Sequence, residues 1–371
     1  MASKLFSPIT LRGLTLPDRI VVAPMCQYAS QDGSATDWHL MNLGQYVMGA
    51  GGLVMTEATH VSPEGRITPR CLGLYSDDNE ASLKRVVDFC RQWGTSHMAI
   101  QIAHAGRKAS NRPPLNGGGA LPADEGAWET VGPSATGFGR WPAPRALDDI
   151  GLARIKQEFV DATIRADRIG FDLAEMHGGH GYLLHQFVSP ISNQRNDGYG
   201  GQLENRMRFP REVFEACRAV WPENKPMGIR FSASDWVEGG FNLEESVIYA
   251  RALKELGCDF VDVTSGGLDP RQKIDLRPGY QVYMAEKIRN EANIPVIAVG
   301  LIVEPEHAEE IIASGKADMV ALARGMMDNP RWAWHAAQAL GVEIKYPDQY
   351  ARCAPNVWPG ASQKKLALAA E

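Results

Sequence analysis

The chain has 371 residues, of which 44% are hydrophobic and 22% charged, and its formal net charge is −6 at pH 7. This composition is ordinary for a globular protein, and the acidic balance gives no electrostatic support for binding nucleic acid or an anionic membrane. No run of about 18 apolar residues occurs and the first residues lack the apolar stretch of a signal peptide, so we expect neither a membrane span nor secretion.

The cysteines are scattered along the chain, and none forms the CxxC pair of a zinc or redox motif. A chain of this length can bury a large core without disulfide bonds, so we expect reduced thiols and a cytoplasmic protein. Most of the thiols are expected to behave as small buried hydrophobic side chains. Cys26 is the exception because of its neighbours, which are described below.

Short apolar runs recur along the chain and predict strands that are buried on both faces. The eight runs are Ile20–Ala23, Leu53–Ala58, Met98–Ile102, Phe171–Met176, Met227–Phe231, Phe260–Thr264, Val296–Val299 and Met319–Ala323. Amphipathic helices separate most of them; residues 148–166, for example, begin with acidic caps and place Ile155 and Phe159 on one face. Eight strands in strand–helix order predict an α/β fold, a closed (β/α)8 TIM barrel. An open doubly wound sheet that binds a dinucleotide typically has a GxGxxG turn after its first strand. This chain has Pro24, Met25 and Cys26 there instead, which favours the barrel.

One long segment interrupts this order. Residues 104–148 are rich in Gly and Pro and are too many for a plain connection, so they predict a rim or lid insertion after the third strand. A loose surface loop is the alternative, but Trp128 and Trp141 favour packing against the barrel. We therefore predict a single domain over residues 1–352 and a C-terminal tail over residues 353–371, to which we assign no role.

Active sites of such barrels lie at the C-terminal ends of the strands, so the polar residues there are the candidates. The fourth strand is followed within six positions by His177, His180 and Tyr182. A core strand has no packing need for three titratable groups, whereas a site that holds a polar atom and delivers a proton does need them. The other strand ends offer, in chain order, Ala23, Pro24, Met25, Cys26, Tyr28, Ala58, Gln101, Arg230, Thr264, Val299, Gly300, Ala323 and Arg324.

The last two strands end in small residues, in the loops where barrels commonly bind phosphate. The strand ends carry no carboxylate pair for glycoside hydrolysis and no lysine placed for a Schiff base. A pocket of donors without a nucleophile favours a phosphate-bearing cofactor that does the bond-making itself. FMN bound non-covalently fits this description, with Gln101 at its pyrimidine edge and Arg230 offsetting negative charge on the reduced ring.

Other interpretations of the histidines stay open at this point. They could be buried core residues, zinc ligands together with His185, or the acid and base of a non-redox lyase acting on a phosphate-bearing substrate. Zinc is disfavoured because no acidic residue or cysteine completes the ligand set within the loop, so we predict no metal. A barrel that binds a small molecule or steroid without catalysis is a further alternative.

Several stretches carry a more specific signal, and the matches run from about residue 5 to residue 352. They are Ala23–Tyr28, Gln101–Ala109, His177–Tyr182, Ser189–Gly201, Glu204–Phe209 and Val299–Ile302. Together they resemble the Old Yellow Enzyme family of FMN-dependent ene-reductases, in its thermophilic-like branch. Two positions depart from the family pattern: Gln202 stands where the family usually has Ser, and Ala323 where it often has Gly. Neither departure removes a side chain needed for chemistry.

The resemblance implies an NAD(P)H-dependent enzyme that reduces the activated C=C bond of α,β-unsaturated carbonyl compounds, with nitro compounds as a further class. It implies that His177 and His180 hydrogen-bond the substrate oxygen, and that Tyr182 protonates Cα after hydride from flavin N5 reaches Cβ. Tyr28 would close over the substrate, and Cys26 would tune the flavin potential. FMN would be held by Ala23, Pro24, Met25, Cys26, Ala58, Gln101, Arg230, Val299, Gly300, Ala323 and Arg324.

The C-terminal region carries one more part of the resemblance. Tyr350-Ala-Arg352 is similar to the Tyr-x-Arg tail of the branch, whose arginine reaches into a partner subunit's active site. This implies a homodimer or homotetramer in which Arg352 binds substrate in trans; a loose basic tail is the alternative. Larger relatives with a 4Fe–4S cluster need clustered cysteines after the barrel, and only Cys353 lies beyond residue 258. The sequence leaves open the substrate, the preferred nicotinamide and the choice between dimer and tetramer.

Overall fold

The computed structural model describes residues 2–49 and 51–360. In chain order the strands are β1 (Ile9–Leu11), β2 (Leu14–Leu16), β3 (Ile20–Val22), β4 (Leu53–His60), β5 (His97–Ala103), β6 (Val131–Gly132), β7 (Arg145–Ala146), β8 (Leu173–Gly178), β9 (Met227–Ser232), β10 (Val261–Thr264), β11 (Val296–Val299) and β12 (Met319–Leu322). The helices are α1 (Asp37–Val47), α2 (Asp77–Trp93), α3 (Asp149–Ile169), α4 (Leu183–Val188), α5 (Leu203–Val220), α6 (Leu243–Glu255), α7 (Val282–Ala292), α8 (Pro305–Ala313), α9 (Arg324–Asp328) and α10 (Trp332–Ala339).

Eight parallel strands close into a barrel in the order β3, β4, β5, β8, β9, β10, β11, β12. The pairing of β12 with β3, in which Val320 faces Ile20, closes the ring. Nearly every residue of these strands is buried, because side chains fill the barrel on one face and the surrounding helices cover the other. The predicted (β/α)8 barrel is therefore confirmed.

The helices begin and end where local chemistry favours it, and α3 is an example. The carboxylate of Asp148 accepts a hydrogen bond from the Gly151 N–H at 2.8 Å, which satisfies one of the free donors of the first turn. Ile155 and Phe159 are fully buried on the inner face. Gly170 ends the helix with φ +101°, a conformation that glycine adopts without steric cost.

The N-terminal end of the barrel is closed by the hairpin of β1 and β2. Leu11 and Leu16 pack into a small core with Leu53, Phe260 and other residues from the barrel interior. Arg12 anchors the hairpin by an ion pair of 2.6 Å with Asp259, just before β10. Because this end is closed, the open mouth at the C-terminal strand ends is the place for a site.

The segment between β5 and α3 contains three single-turn 3-10 helices and the short parallel pair of β6 and β7. Its aromatic residues pack against neighbours: the Phe138 and Trp141 ring centroids are 4.9 Å apart. Trp128 Nε1 donates a 2.9 Å hydrogen bond to the carbonyl of Glu64. Arg107 ties the segment to the barrel by donating to the carbonyl of Leu268 at 2.7 Å.

Two further features of the fold bear on the sequence analysis. Across residues 2–49 and 51–360, none of the helices combines the length and the hydrophobicity needed to cross a membrane. Gln202, which departs from the family's usual Ser, is the N-cap of α5 and makes no side-chain capping hydrogen bond.

Candidate active site

The end of β8 and the turn after it present the two histidines and the tyrosine: His177 is the second-last residue of β8, and His180 and Tyr182 follow in the turn. β8 ends at Gly178, and the chain then turns through His180 (φ +54°) and Gly181 (φ +75°) before α4 begins. The backbone N–H of His180 donates to Ser232 Oγ at 2.9 Å. His180 Nε2 lies 3.0 Å from Thr264 Oγ1. The turn is therefore held by the neighbouring strands β9 and β10, which fixes the imidazole at the barrel mouth.

The two imidazoles lie side by side. His180 Nδ1 is 3.4 Å from His177 Nε2, and the ring centroids are 5.2 Å apart. Burial, and secondarily the positive charge of Arg230, lowers the pKa of both histidines well below the usual range. Both rings are therefore neutral near pH 7, and each carries one N–H donor and one acceptor nitrogen.

Tyr182 lies against the same histidine pair, with its ring centroid 5.0 Å from that of His177. Burial raises its pKa well above the usual range, so the phenol stays protonated at neutral pH. Beside it is a small apolar cluster of buried residues, Ile67, Cys71, Ala105 and Ala109, against which Cys26, Tyr28, Trp128 and Tyr182 all pack. The loop after β3 and the segment after β5 thus form walls of one pocket.

Gln101 and Arg230 lie inside the barrel, near the histidines. Gln101 on β5 is paired in register with Ala58 on β4 and with Glu175 on β8. Arg230 on β9 is paired with His177. Both side chains are buried, with 2% of Gln101 and 7% of Arg230 exposed. An amide and a fixed cation on the two strands that flank β8 suit a ring with an N–H flanked by carbonyl oxygens, as in the pyrimidine edge of FMN.

The turns after β11 and β12 fit a phosphate. Gly300 has φ +123°, and a Cβ there would lie 2.8 Å from Gln281 Nε2, so the turn needs glycine. After β12, Ala323 is the N-cap of α9 and Arg324 is its first residue, where the first backbone N–H groups lack partners within the helix. Pro24, Met25 and Cys26 follow β3, which is adjacent to β12 in the barrel, and are partly buried.

Three site residues were missed by sequence reasoning. Lys108 Nζ donates to the carbonyls of His180 at 2.9 Å and Gly267 at 2.8 Å, and lies 5.3 Å from the Tyr182 ring centroid. Burial lowers its pKa to about 8. Gln281 binds Ser265 Oγ at 2.6 Å and the Val299 carbonyl at 3.0 Å. Glu175 accepts from Gln101. None of them directly follows a predicted strand, so a search of the C-terminal strand ends did not identify them.

Two residues considered in the sequence analysis, His185 and Arg352, do not join the group at the barrel mouth. His185 is fully buried, and both of its ring nitrogens have partners within the protein. Nδ1 accepts from the Gly181 N–H at 2.9 Å, and Nε2 lies 2.8 Å from Asp235 Oδ1. Arg352 is exposed, in a 3-10 turn over Asp348–Cys353. The structure does not bring Arg352 into the pocket of its own chain.

Comparison with known proteins adds independent support. A family model described as the NADH:flavin oxidoreductase / NADH oxidase family matches residues 4–343. The NADPH dehydrogenase of Geobacillus thermodenitrificans is 42% identical over 355 residues, which are 95% of this chain and 99% of that protein. This chain belongs to the Old Yellow Enzyme family. A second member, the NADPH dehydrogenase of Bacillus subtilis, is 40% identical with the same coverage. The solved structure of morphinone reductase has a TM-score of 0.77 at 27% identity and covers 93% of this chain and 92% of that one.

Membership of the Old Yellow Enzyme family makes this chain an FMN-dependent NAD(P)H oxidoreductase. The predictions of the family, the fold, the enzyme class and the cofactors are confirmed. The non-redox lyase and the idle binding barrel lose their support, because both assumed a barrel without redox chemistry. The roles of individual residues are a separate matter and are proposed below.

Proposed function

We propose that this protein is an ene-reductase for α,β-unsaturated carbonyl compounds, with His177 and His180 as the groups that bind the substrate oxygen. The observation that carries the proposal is the 3.4 Å separation of His180 Nδ1 from His177 Nε2 at the barrel mouth. A single oxygen atom placed beside this pair can contact both nitrogens. Nitro oxygens satisfy the same geometry, which adds nitro compounds as a further substrate class.

The histidine pair polarises the substrate. Hydrogen bonds to the carbonyl oxygen draw electron density from the conjugated C=C bond and stabilise the negative charge that develops on the oxygen. By analogy with oxyanion-hole donors, each is expected to contribute about 2–4 kcal/mol to the transition state. Gln101, Arg230 and the turns after β11 and β12 would hold FMN, whose chemistry would be to supply Cβ of the alkene with a hydride taken from NAD(P)H.

Tyr182 completes the reaction by donating its phenolic proton to Cα. Its raised pKa keeps the proton on the oxygen until the substrate carbon becomes basic. Tyr28 and Cys26 pack on the same apolar cluster as Tyr182 and form the adjoining wall, where Tyr28 would cover the substrate and Cys26 would lie beside the flavin. Since NAD(P)H and the alkene would occupy the same site in turn, we expect ping-pong kinetics.

The experiment is a double variant, His177→Ala with His180→Ala, compared with wild type. A phenol can offer its oxygen to the same two imidazoles, so titration of the flavin absorption band with a phenol should show at least tenfold weaker binding, since two hydrogen bonds are lost. Alkene turnover should fall by roughly 10³ or more. The FMN content should survive, because neither histidine is among the proposed cofactor contacts. Unchanged phenol affinity, or loss of the flavin from the variant, would count against the proposal.

The proposal extends to the assembly, a homodimer or homotetramer in which Arg352 reaches the neighbouring subunit's site. Residues 345–349 line a cavity together with Asp18, Gly51 and Thr95. These three residues each lie two positions before a barrel strand, β3, β4 and β5 respectively. The C-terminal segment therefore runs along the end of the barrel opposite its own mouth. An exposed arginine so placed is available to another subunit.

A further inference from the structure

Each of the two polar residues proposed to face the pyrimidine has a buried carboxylate beside it on the next strand. Gln101 on β5 is in register with Glu175 on β8, and Arg230 on β9 is in register with Asp262 on β10. Glu175 is 0% and Asp262 1% exposed. The proposed chemistry gives neither carboxylate a role, since neither belongs to the histidine and tyrosine group that would meet the substrate.

The contact of Gln101 with Glu175 has a direction. Gln101 Nε2 donates to Glu175 Oε1 at 2.8 Å. Glu175 Oε1 is the acceptor in this contact, so Gln101 turns its NH₂ group toward Glu175 and keeps its own Oε1 for the pocket. Glu175 Oε2 has no hydrogen-bond partner among residues 2–49 and 51–360. The carboxyl group is thus used for one contact, the one that decides which end of the amide faces a ligand.

The contact of Arg230 with Asp262 is an ion pair. Arg230 Nε lies 3.2 Å from Asp262 Oδ2, although the angle falls short of a hydrogen bond. Asp262 Oδ1 also lacks a partner among the described residues. Burial raises the pKa of both acidic groups, and the charge of Asp262 raises that of Glu175 further. Two carboxyl groups around one cation are costly to bury, and a cost of this kind is typical of functional sites.

We propose that Glu175 and Asp262 are positioning residues for the cofactor, in which Glu175 sets the amide orientation of Gln101 and Asp262 restrains the guanidinium of Arg230. The inference rests on the proposed role of Gln101 and Arg230 at the pyrimidine edge. Their combined effect is to present one acceptor oxygen and one cation from the two strands that flank β8. That pattern matches an N–H next to a carbonyl oxygen and rejects a ring whose N–H has been replaced.

The test uses reconstitution of the apoprotein with FMN and with its N3-methyl analogue, which lacks the pyrimidine N–H. Dissociation constants are measured by quenching of flavin fluorescence for wild type, Glu175→Gln and Asp262→Asn. In Glu175→Gln the new amide can both donate and accept, so Gln101 is free to flip. We expect the preference for FMN over the analogue to fall about fivefold or more, in line with one hydrogen bond. In Asp262→Asn both ligands should weaken by the same factor.

Asp18→Asn is the matched control. Asp18 is a carboxylate at the closed end of the barrel that accepts from the Ile20 and Gly52 N–H groups at 3.0 and 2.7 Å, and its loss should leave both dissociation constants unchanged. A wild-type preference retained in Glu175→Gln overturns the inference while leaving the ene-reductase proposal intact. Failure of the wild-type apoprotein to bind FMN would instead overturn the proposed function. Glu175→Gln is nearly isosteric, and thermal unfolding of each variant verifies that it is folded.

Discussion

At the scale of single residues, burial sets the protonation states that the proposed chemistry needs. His177 and His180 have lowered pKa values and are neutral, so they donate hydrogen bonds without carrying a charge. Tyr182 has a raised pKa and keeps its proton. Desolvation is the largest cause in all three cases. An apolar pocket thereby produces both neutral donors and a retained proton.

Removing the phenolic proton should separate the two halves of the reaction. In Tyr182→Phe we expect the reduction of the flavin by NADPH to stay near the wild-type rate, since no proton donor is needed there. Its reoxidation by an alkene should slow by about 10²–10⁴, the usual contribution of a positioned acid. Stopped-flow absorbance measures each half-reaction. Tyr46→Phe is the control, since it removes a buried phenol on α1; an equal loss in both half-reactions of Tyr182→Phe would contradict the role.

The sequence located the histidines and the tyrosine but not the residues that support them. The former follow the predicted fourth strand, which the structure extends by two residues so that His177 lies within β8; finding them needs only the order of elements and the rule that barrel sites lie at the C-terminal strand ends. Lys108 reaches the site through the turn after β5, and Glu175 through register with Gln101. Register around a barrel depends on the stagger of all its strands, which no local pattern contains.

At the scale of elements, the turn between β8 and α4 depends on glycine. Gly181 has φ +75°, and a Cβ there would lie 2.3 Å from the carbonyl oxygen of Gly267. Gly201 has nearly the same φ, +78°, but open space around it. The two positions therefore separate the backbone cost of a left-handed residue from the cost of a clash.

We expect Gly181→Ala to destabilise the protein and to lower turnover, because the clash displaces the turn that carries His180 and Tyr182. Gly201→Ala should show the backbone cost alone, about 1–3 kcal/mol, with turnover unchanged. Thermal unfolding and steady-state kinetics measure the two effects. Equal behaviour of the two variants would show that the contact with Gly267 does not matter.

A second element-scale contact ties the loop after β4 to α3. Arg154 Nη2 donates to Glu64 Oε1 at 2.5 Å, and His104 Nε2 lies 3.9 Å from the same oxygen. His104 and Arg154 lower the pKa of Glu64 to about 2 from 4.5. Because the folded-state pKa is depressed, this stabilisation is complete above the unfolded-state pKa and is lost as the pH falls from about 4.5 to about 2.

Glu64→Gln should therefore be less stable than wild type at pH 7, by about 1–2 kcal/mol once solvent screening of the half-exposed Arg154 is allowed for. The difference should shrink steadily between pH 4.5 and pH 2. Urea unfolding at pH 7, 4.5 and 2.5 follows it. A difference that stays constant with pH would mean that packing, rather than the charge of Glu64, holds the loop.

The predicted strands agree with the structure because their apolar runs are buried on both faces. β4 is the instructive difference, since it extends past Ala58 to His60. Its last residues are polar but buried, and His60 Nδ1 lies 2.8 Å from the Leu72 carbonyl. A polar side chain can continue a buried strand when it finds a partner, and that partner lies in a loop that hydrophobicity does not reveal.

At the scale of the whole molecule, the two ends of the barrel have different tasks. The β1–β2 hairpin closes the N-terminal end, where Leu11 and Leu16 fill the space below the strands. The residues proposed to be catalytic, His177, His180 and Tyr182, lie at the mouth. Residues 342–349 line a cavity at the closed end, and Tyr350 packs on Trp334, which lines the same cavity, with ring centroids 5.7 Å apart. The proposed role of Arg352 therefore requires the mouth of another subunit.

Complementation tests this arrangement. Arg352→Ala and Tyr182→Phe should each have low activity, because every site lacks either its arginine or its acid. In a hybrid dimer one site combines Tyr182 from the first variant with Arg352 from the second and is intact. Random exchange of equal amounts makes half of the dimers hybrid, each with one working site of two, so about a quarter of wild-type activity should return. Activity is measured after subunit exchange in mild denaturant. If Arg352 acted within its own chain, the mixture would regain nothing, since both sites of a hybrid would then keep one defect each.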